Sequence, residues 1–243
     1  MVRMHRCASG VIVFFLAAVL SIAITGCAAP SGAQRIDNIA MYGQPSIKRP
    51  TILKGADEAF IATAAKGFGS REKASVAWAL QAEEYFKKGN YDYAMRRYNQ
   101  SWLLNPNNYL PYWGFGMVTL QQDKFDESIA HFEKAKQLVV EDLSIKSALL
   151  SDAGSAYLYK ARSLPPADVK EVAKYYSLAN QSYAESTKYN PNNPYAWRRW
   201  AISLYWEGKY ADAWEKVKKA RSLGADELEK IIESLNQKMP MPD

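Results

Sequence analysis

The sequence predicts an all-α fold, a solenoid of stacked helix pairs, on three observations. The tetrapeptide Asn105-Pro106-Asn107-Asn108 returns as Asn190-Pro191-Asn192-Asn193, 85 residues later, and Ala94 and Tyr98 return as Ala179 and Tyr183 at the same offset. Trp78, Gly89, Tyr91 and Ala94 return as Trp197, Gly208, Tyr210 and Ala213, all 119 residues later. The two offsets differ by 34, which is also the distance from Trp78 to Tyr112 and from Tyr98 to Phe132. One period of that length accommodates two short helices and marks a repeat array. With 48% hydrophobic and 23% charged residues in a chain of 243, there is ample material for a core.

The first element is not part of that core. Met1 to Arg6 is short and basic, and Val11 to Ile24 is a run of 14 residues without charge, the layout of a secretory signal peptide. The run ends in Ile24-Thr25-Gly26-Cys27, which resembles the lipobox of bacterial lipoproteins. The resemblance implies cleavage of residues 1–26, a diacylglyceryl group on the Cys27 thiol and an acyl chain on its new amino group. Such an anchor holds a protein stably on a membrane. Ala28, where an Asp would imply inner-membrane retention, implies the outer membrane and a body facing the periplasm. The alternative is an uncleaved anchor, because no charge occurs from Cys7 to Gln34. Thr25 to Gly32, small and polar, argues against a helix continuing there.

Cleavage would change the composition. Losing Arg3 and Arg6 reduces the 31 basic residues to 29 against 25 acidic ones, a net charge of +4 rather than +6. No Lys/Arg run concentrates that charge, so nucleic-acid binding is not expected. One Cys is discarded and the other is lipidated, so neither a disulfide framework nor a Cys-rich metal site is available. His131 is the single His left.

Residues 27–51 hold Pro30, Gly32, Gly43, Pro45 and Pro50 and read as a flexible tether. Within it, Ile39 to Pro45 is apolar enough to pack on the domain or on a partner. Residues 52–69 hold a short helix, about Ala56 to Lys66, with Ala56, Phe60, Ile61 and Ala64 on one face and Gly67 and Gly69 ending it.

The array occupies residues 70–227, in repeats of about 75–108, 109–142, 147–193 and 194–227. Repeat one carries Trp78, Ala82, Tyr85, Ala94, Tyr98, Ser101 and Pro106. Repeat two carries Tyr112, Phe115, Gly116, Ser128, Phe132 and Ala135. Repeat three carries Leu150, Ala153, Gly154, Tyr157, Ala179, Tyr183, Ser186 and Pro191. Repeat four carries Trp197, Trp200, Ala201, Leu204, Ala213 and Ala220. This spacing resembles the tetratricopeptide repeat (TPR) family. Gln81, Thr119 and Val217 depart from the family pattern, and repeats two and four lack its closing Pro. The resemblance implies two antiparallel helices, A and B, per repeat. Small residues such as Gly116, Gly154, Ala94 and Ala213 let helices approach, and Trp78, Tyr98, Phe132 and Trp197 fill the space between them. Gly89 and Gly208 allow the A–B turn. Asn-Pro-Asn-Asn ends one helix and caps the next. Repeat three is 13 residues too long, with Leu164-Pro165-Pro166-Ala167-Asp168 inside the excess. That reads as a longer helix A ending near Arg162 and a longer helix B starting near Asp168. Residues 228–243 supply a capping helix, beginning near Asp226 and ending near Gln237, and a loose tail.

Catalysis finds little material. Gly-x-Ser-x-Gly, the phosphate-binding Gly-x₄-Gly-Lys-[Ser/Thr] and the metalloprotease His-Glu-x-x-His are absent. Ser70-Arg71-Glu72-Lys73 fits Ser-x-x-Lys, but Ser70 precedes a helix and reads as its N-cap. His131 reads as a surface His, and Glu83/Glu84 and Asp126/Glu127 as solvated helix faces. No enzyme, metal or cofactor is expected; the lipid on Cys27 is the one added group.

The family resemblance implies a concave groove lined by the A helices. Mapped residue by residue, it falls on Val76, Ala79, Glu83, Phe86 and Lys87, then Leu110, Trp113, Met117 and Leu120. It continues over Ser151, Ser155, Leu158 and Tyr159, then Tyr195, Arg198, Ile202, Tyr205 and Trp206. Phe86, Trp113, Met117, Leu120, Tyr159, Tyr195, Arg198, Tyr205 and Trp206 are the candidate binding set, because aromatics and Arg dominate interface energies. Ala79 and Glu83 stand where the family's carboxylate-clamp members need Lys and Asn. The expected partner is an envelope protein or peptide segment, with the membrane reached through the lipid. The chain looks broadly like repeat lipoproteins that act as pilotins or as adaptors of cell-wall enzymes. In the alternative, its own residues 36–68 fill the groove and the protein is structural.

Overall fold

A computed structural model describes residues 35–43, 50–139 and 142–242. The expected signal peptide, Cys27 and residues 28–34 and 44–49 of the expected tether lie outside these residues. Ten α-helices are described: α1 Lys54–Phe68, α2 Arg71–Lys87, α3 Tyr91–Leu104, α4 Tyr109–Gln121, α5 Phe125–Leu138, α6 Leu143–Ser163, α7 Val169–Tyr189, α8 Pro194–Glu207, α9 Tyr210–Ser222 and α10 Glu229–Lys238. No strand occurs among the described residues, and no helix among them is long and apolar enough to cross a membrane.

Helices α2–α3, α4–α5, α6–α7 and α8–α9 form four hairpins, with α1 against the first and α10 against the last. Each A helix touches the A helix of the next repeat, α2 to α4 to α6 to α8, and each B helix touches the following A helix. The A helices therefore form a continuous inner layer. All-α architecture and repeat number agree with the expectation, and helix ends fall within a few residues of it.

The small positions do what the spacing implies. A methyl group on Gly154 would come within 2.9 Å of the Tyr183 ring, and one on Gly116 within 3.0 Å of the Phe132 ring. Phe132, Tyr183, Ala94 and Ala213 are fully buried. The A–B turns pass through Gly89 and Gly208 at φ +73° and +85°, the left-handed region that favours glycine.

The recurring Asn-Pro-Asn-Asn does more than punctuate. Asn108 caps α4 by accepting from the Leu110 amide, and its own amide donates to the buried Ser75 hydroxyl at 2.9 Å. Ser75 in turn pairs with Ser101. The same triangle recurs as Asn193, Ser147 and Ser186. One side chain thus starts a helix and satisfies a buried serine pair at each joint.

Several expectations are corrected. Helix α1 begins at Lys54, after a 3₁₀ turn at Thr51–Leu53, and runs through Gly67 to Phe68. Ala56 is exposed; Ala64 is buried, with Phe60, Ile61 and Trp78 packed around it. His131 is half-buried rather than fully exposed, because α5 turns it against the Phe115 ring at 5.3 Å between centroids. The C-terminal tail is pinned rather than loose, since the Trp214 indole donates to the Met239 carbonyl and Lys218 to that of Pro242. Residues 35–43 form two 3₁₀ turns against α3, where Ala40 is buried. The fully buried Asn99 carboxamide donates to the carbonyls of Asp37 and Ile39 and accepts from the Tyr42 amide. Met41 and Tyr42 both take positive φ there, at 56° and 52°. The lengthened third hairpin is as read, α6 ending at Ser163 and α7 starting at Val169.

Candidate functional site

The inner layer exposes three adjoining hollows. The first, about 300 Å³, lies between α2 and α4 and is lined by Ala79, Leu80, Glu83, Phe86, Lys87, Tyr98, Leu110, Trp113, Gly114 and Met117, with Asp152 at one side. The second, about 240 Å³, runs from Met117, Leu120 and Asp152 over Ser155, Leu158 and Tyr159 to Arg198, Arg199 and Ile202. The third, about 550 Å³, continues from Arg198 and Ile202 over Tyr205 and Trp206 to Glu227, Glu229, Lys230, Ile231 and Ser234 beside α10. Met117 and Asp152 are shared by the first two, and Arg198 and Ile202 by the last two. Together they form one furrow along the A helices from the first repeat to the cap.

Helix geometry explains the lining. Residues three and four apart share a helix face, so Ala79, Glu83, Phe86 and Lys87 of α2 meet Leu110, Trp113 and Met117 of α4 across the first hollow. Of the candidate set, Phe86, Trp113 and Met117 lie together here. Leu120 and Tyr159 line the second hollow and Tyr205 and Trp206 the third, with Arg198 between them. Leu120 is 8% exposed and contributes floor rather than rim. Tyr195 lines none of these hollows; it stands exposed on the first turn of α8 with the Arg198 guanidinium 5.4 Å from its ring centre. Val76 and Ser151 also fall outside them.

The polar centre of the furrow was not legible in the sequence. Asp152 of α6 forms an ion pair with Arg199 of α8 and accepts from the Trp113 indole of α4 at 2.8 Å. Arg199 also donates to Ser155, whose hydroxyl meets that of Tyr183 at 3.1 Å. Burial works against the Arg199 charge, but Asp152 more than offsets it and holds the guanidinium above its usual range. Burial pushes the Tyr183 phenol up. At the far end Arg198 pairs with Glu227, which holds that carboxyl below its ordinary value. Trp206 is 47% exposed and lies under the Arg162 guanidinium, 3.7 Å from its ring centre. Arg162 belongs to the lengthened end of α6, so the insertion in repeat three reaches the rim of the furrow.

Charges along the furrow include the pairs Lys87–Glu83, Arg199–Asp152 and Arg198–Glu227, and no cluster of metal ligands occurs among the described residues. Ser70 caps α2 by accepting from the Lys73 amide at 3.1 Å. His131 sits on α5, outside the furrow, and burial lowers its pKa to about 4.

No family model matches the chain, and no curated protein matches it. Solved structures do resemble its fold. A thermophilic TPR protein of Thermus thermophilus superposes with a TM-score of 0.57 at 14% identity, covering 68% of this chain and 80% of that one. The Cut9–Hcn1 hetero-tetramer of the APC/C gives 0.56 at 16% identity, covering 75% and 36%. The pilF protein of Pseudomonas aeruginosa gives 0.51 at 17% identity, covering 76% and 84%. At these identities the likeness is one of fold. The hairpin layers, the glycine-to-ring contacts and these superpositions agree that the chain is an all-α solenoid of the TPR type, with four helix-hairpin repeats between two flanking helices.

Proposed function

We propose that this is a lipid-anchored protein of the cell envelope that holds a segment of another protein in its furrow, as an adaptor or assembly scaffold. The observation that carries the reading is the continuous furrow, with half-exposed Phe86, Trp113 and Met117 at one end and Tyr205 and Trp206 at the other. Large apolar side chains left open along a concave face cost solubility unless a partner covers them. The basic start, apolar run and Cys27 support the anchoring part of the proposal, and Ala28 supports an outer-membrane address facing the periplasm. A pilotin-like role and a cell-wall-enzyme adaptor are the two forms this reading takes.

The rival in which residues 36–68 fill the furrow loses its support. The described part of that segment packs on α3 and against α2, and none of it lines the three hollows.

A photo-crosslinking residue placed at Met117 or at Trp206 in cells should capture the same envelope protein. One placed at exposed Glu185 on α7 should not. Trp113→Ala should lower capture about tenfold while the helical signal stays. Equal capture from all three positions would overturn the furrow reading. Cys27→Ser should move the body from the membrane to the soluble fraction; continued membrane association would overturn lipid anchoring and favour the uncleaved helix.

A further inference from the structure

We propose that the first hollow is an anchor pocket for one aromatic side chain that carries its own N–H or O–H donor, tryptophan ahead of tyrosine, on the segment held in the furrow. The inference rests on the furrow-binding reading and adds what the pocket selects.

The walls set the shape. Leu80, Phe86, Leu110, Trp113 and Met117 surround a space of about 300 Å³, at the lower limit of ligand pockets and suited to one bulky side chain. The base is formed by Tyr98, which is 5% exposed and pressed directly over Gly114. Tyr98 lines this hollow, and its hydroxyl has no hydrogen-bond partner among the described residues. Burial, with a smaller contribution from the Glu83 charge, raises the phenol's pKa.

The polar inventory then selects the guest. The one indole donor in the walls, Trp113, is already committed to Asp152. Lys87 is committed to Glu83 and Glu84 at 2.8 and 3.3 Å. What remains open is the Tyr98 hydroxyl, as donor and acceptor, and acceptor capacity on the carboxylates of Glu83 and Asp152. A guest with a donor on an apolar body answers that need. A bare cation does not, because Lys87 and Arg199 already balance the two carboxylates. Phenylalanine and leucine would fill the space but leave the Tyr98 hydroxyl unpaired, now out of water.

The test uses five peptides, acetyl-Gly-Ser-Gly-Ser-X-Ser-Gly-Ser-Gly-amide with X as Trp, Tyr, Phe, Leu or Lys. Each is titrated into the full chain in detergent micelles, labelled with methyl-¹³C methionine. The Met117 methyl, in the pocket wall, is the reporter. The Trp peptide should bind about fivefold tighter than the Phe peptide, with Tyr between them. Tyr98→Phe keeps the ring over Gly114 and should bring Trp and Phe within about twofold. Leu80→Trp should plug the hollow and abolish the Met117 response to every peptide. Equal or tighter binding of the Phe or Leu peptide, preference for Lys, or no Met117 response to any peptide would overturn the proposal. If partner capture through Met117 in cells persists in any of those cases, the furrow reading stands and only the pocket's selectivity falls.

Discussion

Gly114 shows how little room a single atom has in this stack. A methyl group there would come within 2.2 Å of the Tyr98 ring carbons, so either the ring or α4 must move. Gly114→Ala should therefore lower stability by about 2 kcal/mol in chemical denaturation, despite alanine's better helix propensity. His131 offers a second test through pH. Its folded pKa of about 4 lies below the ordinary 6.5, so between those values the unfolded chain binds the extra proton. The stability it contributes is complete above about pH 6.5 and declines as the pH falls toward 4. At pH 5 the loss should be about 1–2 kcal/mol. His131→Gln should remove that slope, and denaturation midpoints at pH 7 and pH 5 would measure it. An unchanged slope would mean that His131 is not desolvated as described. The sequence could not reveal this site: period placed His131 on the outer side of helix B, and the approach of Phe115 depends on how α4 and α5 cross.

Among the elements, the joints between repeats were half visible. Asn-Pro-Asn-Asn announced a helix stop and a helix start, because a proline and a capping side chain act locally. The serine pair beneath each joint stayed hidden, since Ser75 and Ser101, or Ser147 and Ser186, meet only after the hairpin closes. Asn193→Ala should cost about 2 kcal/mol, more than a surface cap, because it leaves buried Ser147 short of a partner as well. Asn193→Ser, which keeps the cap, should recover about half of that loss in the same denaturation series. The third hairpin was legible for the same local reason: Pro165 and Pro166 force a break wherever the chain runs. That Arg162 then covers Trp206 was not, because residues 44 positions apart in sequence carry no mutual signal.

For the whole molecule, the inner layer was legible and its centre was not. A repeat pattern marks which face of each A helix points inward, and it brought Phe86, Trp113, Met117, Tyr205 and Trp206 to the furrow. It is silent on residues outside the pattern, which is where Asp152 and Arg199 lie. These two, with Trp113, join the A helices of repeats two, three and four at one carboxylate. The pair is partly open, with side-chain exposures of 16% and 32%, so screening reduces its worth. Arg199→Met should cost about 2 kcal/mol by leaving Asp152 uncompensated, and adding Asp152→Leu should restore most of it. Because neighbouring repeats fold as a coupled stack, the single change should also raise hydrogen exchange in α6 and α8 more than in α2. Uniform exchange across the stack would argue that the pair is incidental.

The docking of residues 35–43 on α3 gives the fold a direction of load. Asn99 grips the backbone of this strap at three points, and Arg96 holds Asp37 and Asn38 beside it. A pull applied from the N-terminal side therefore enters the molecule at the first repeat's B helix, through several hydrogen bonds strained together. Helix α1, which follows the strap in sequence, is spared until those bonds part. The strap works as a strain relief, keeping tension on the leading end of the chain from peeling the solenoid open at its first helix.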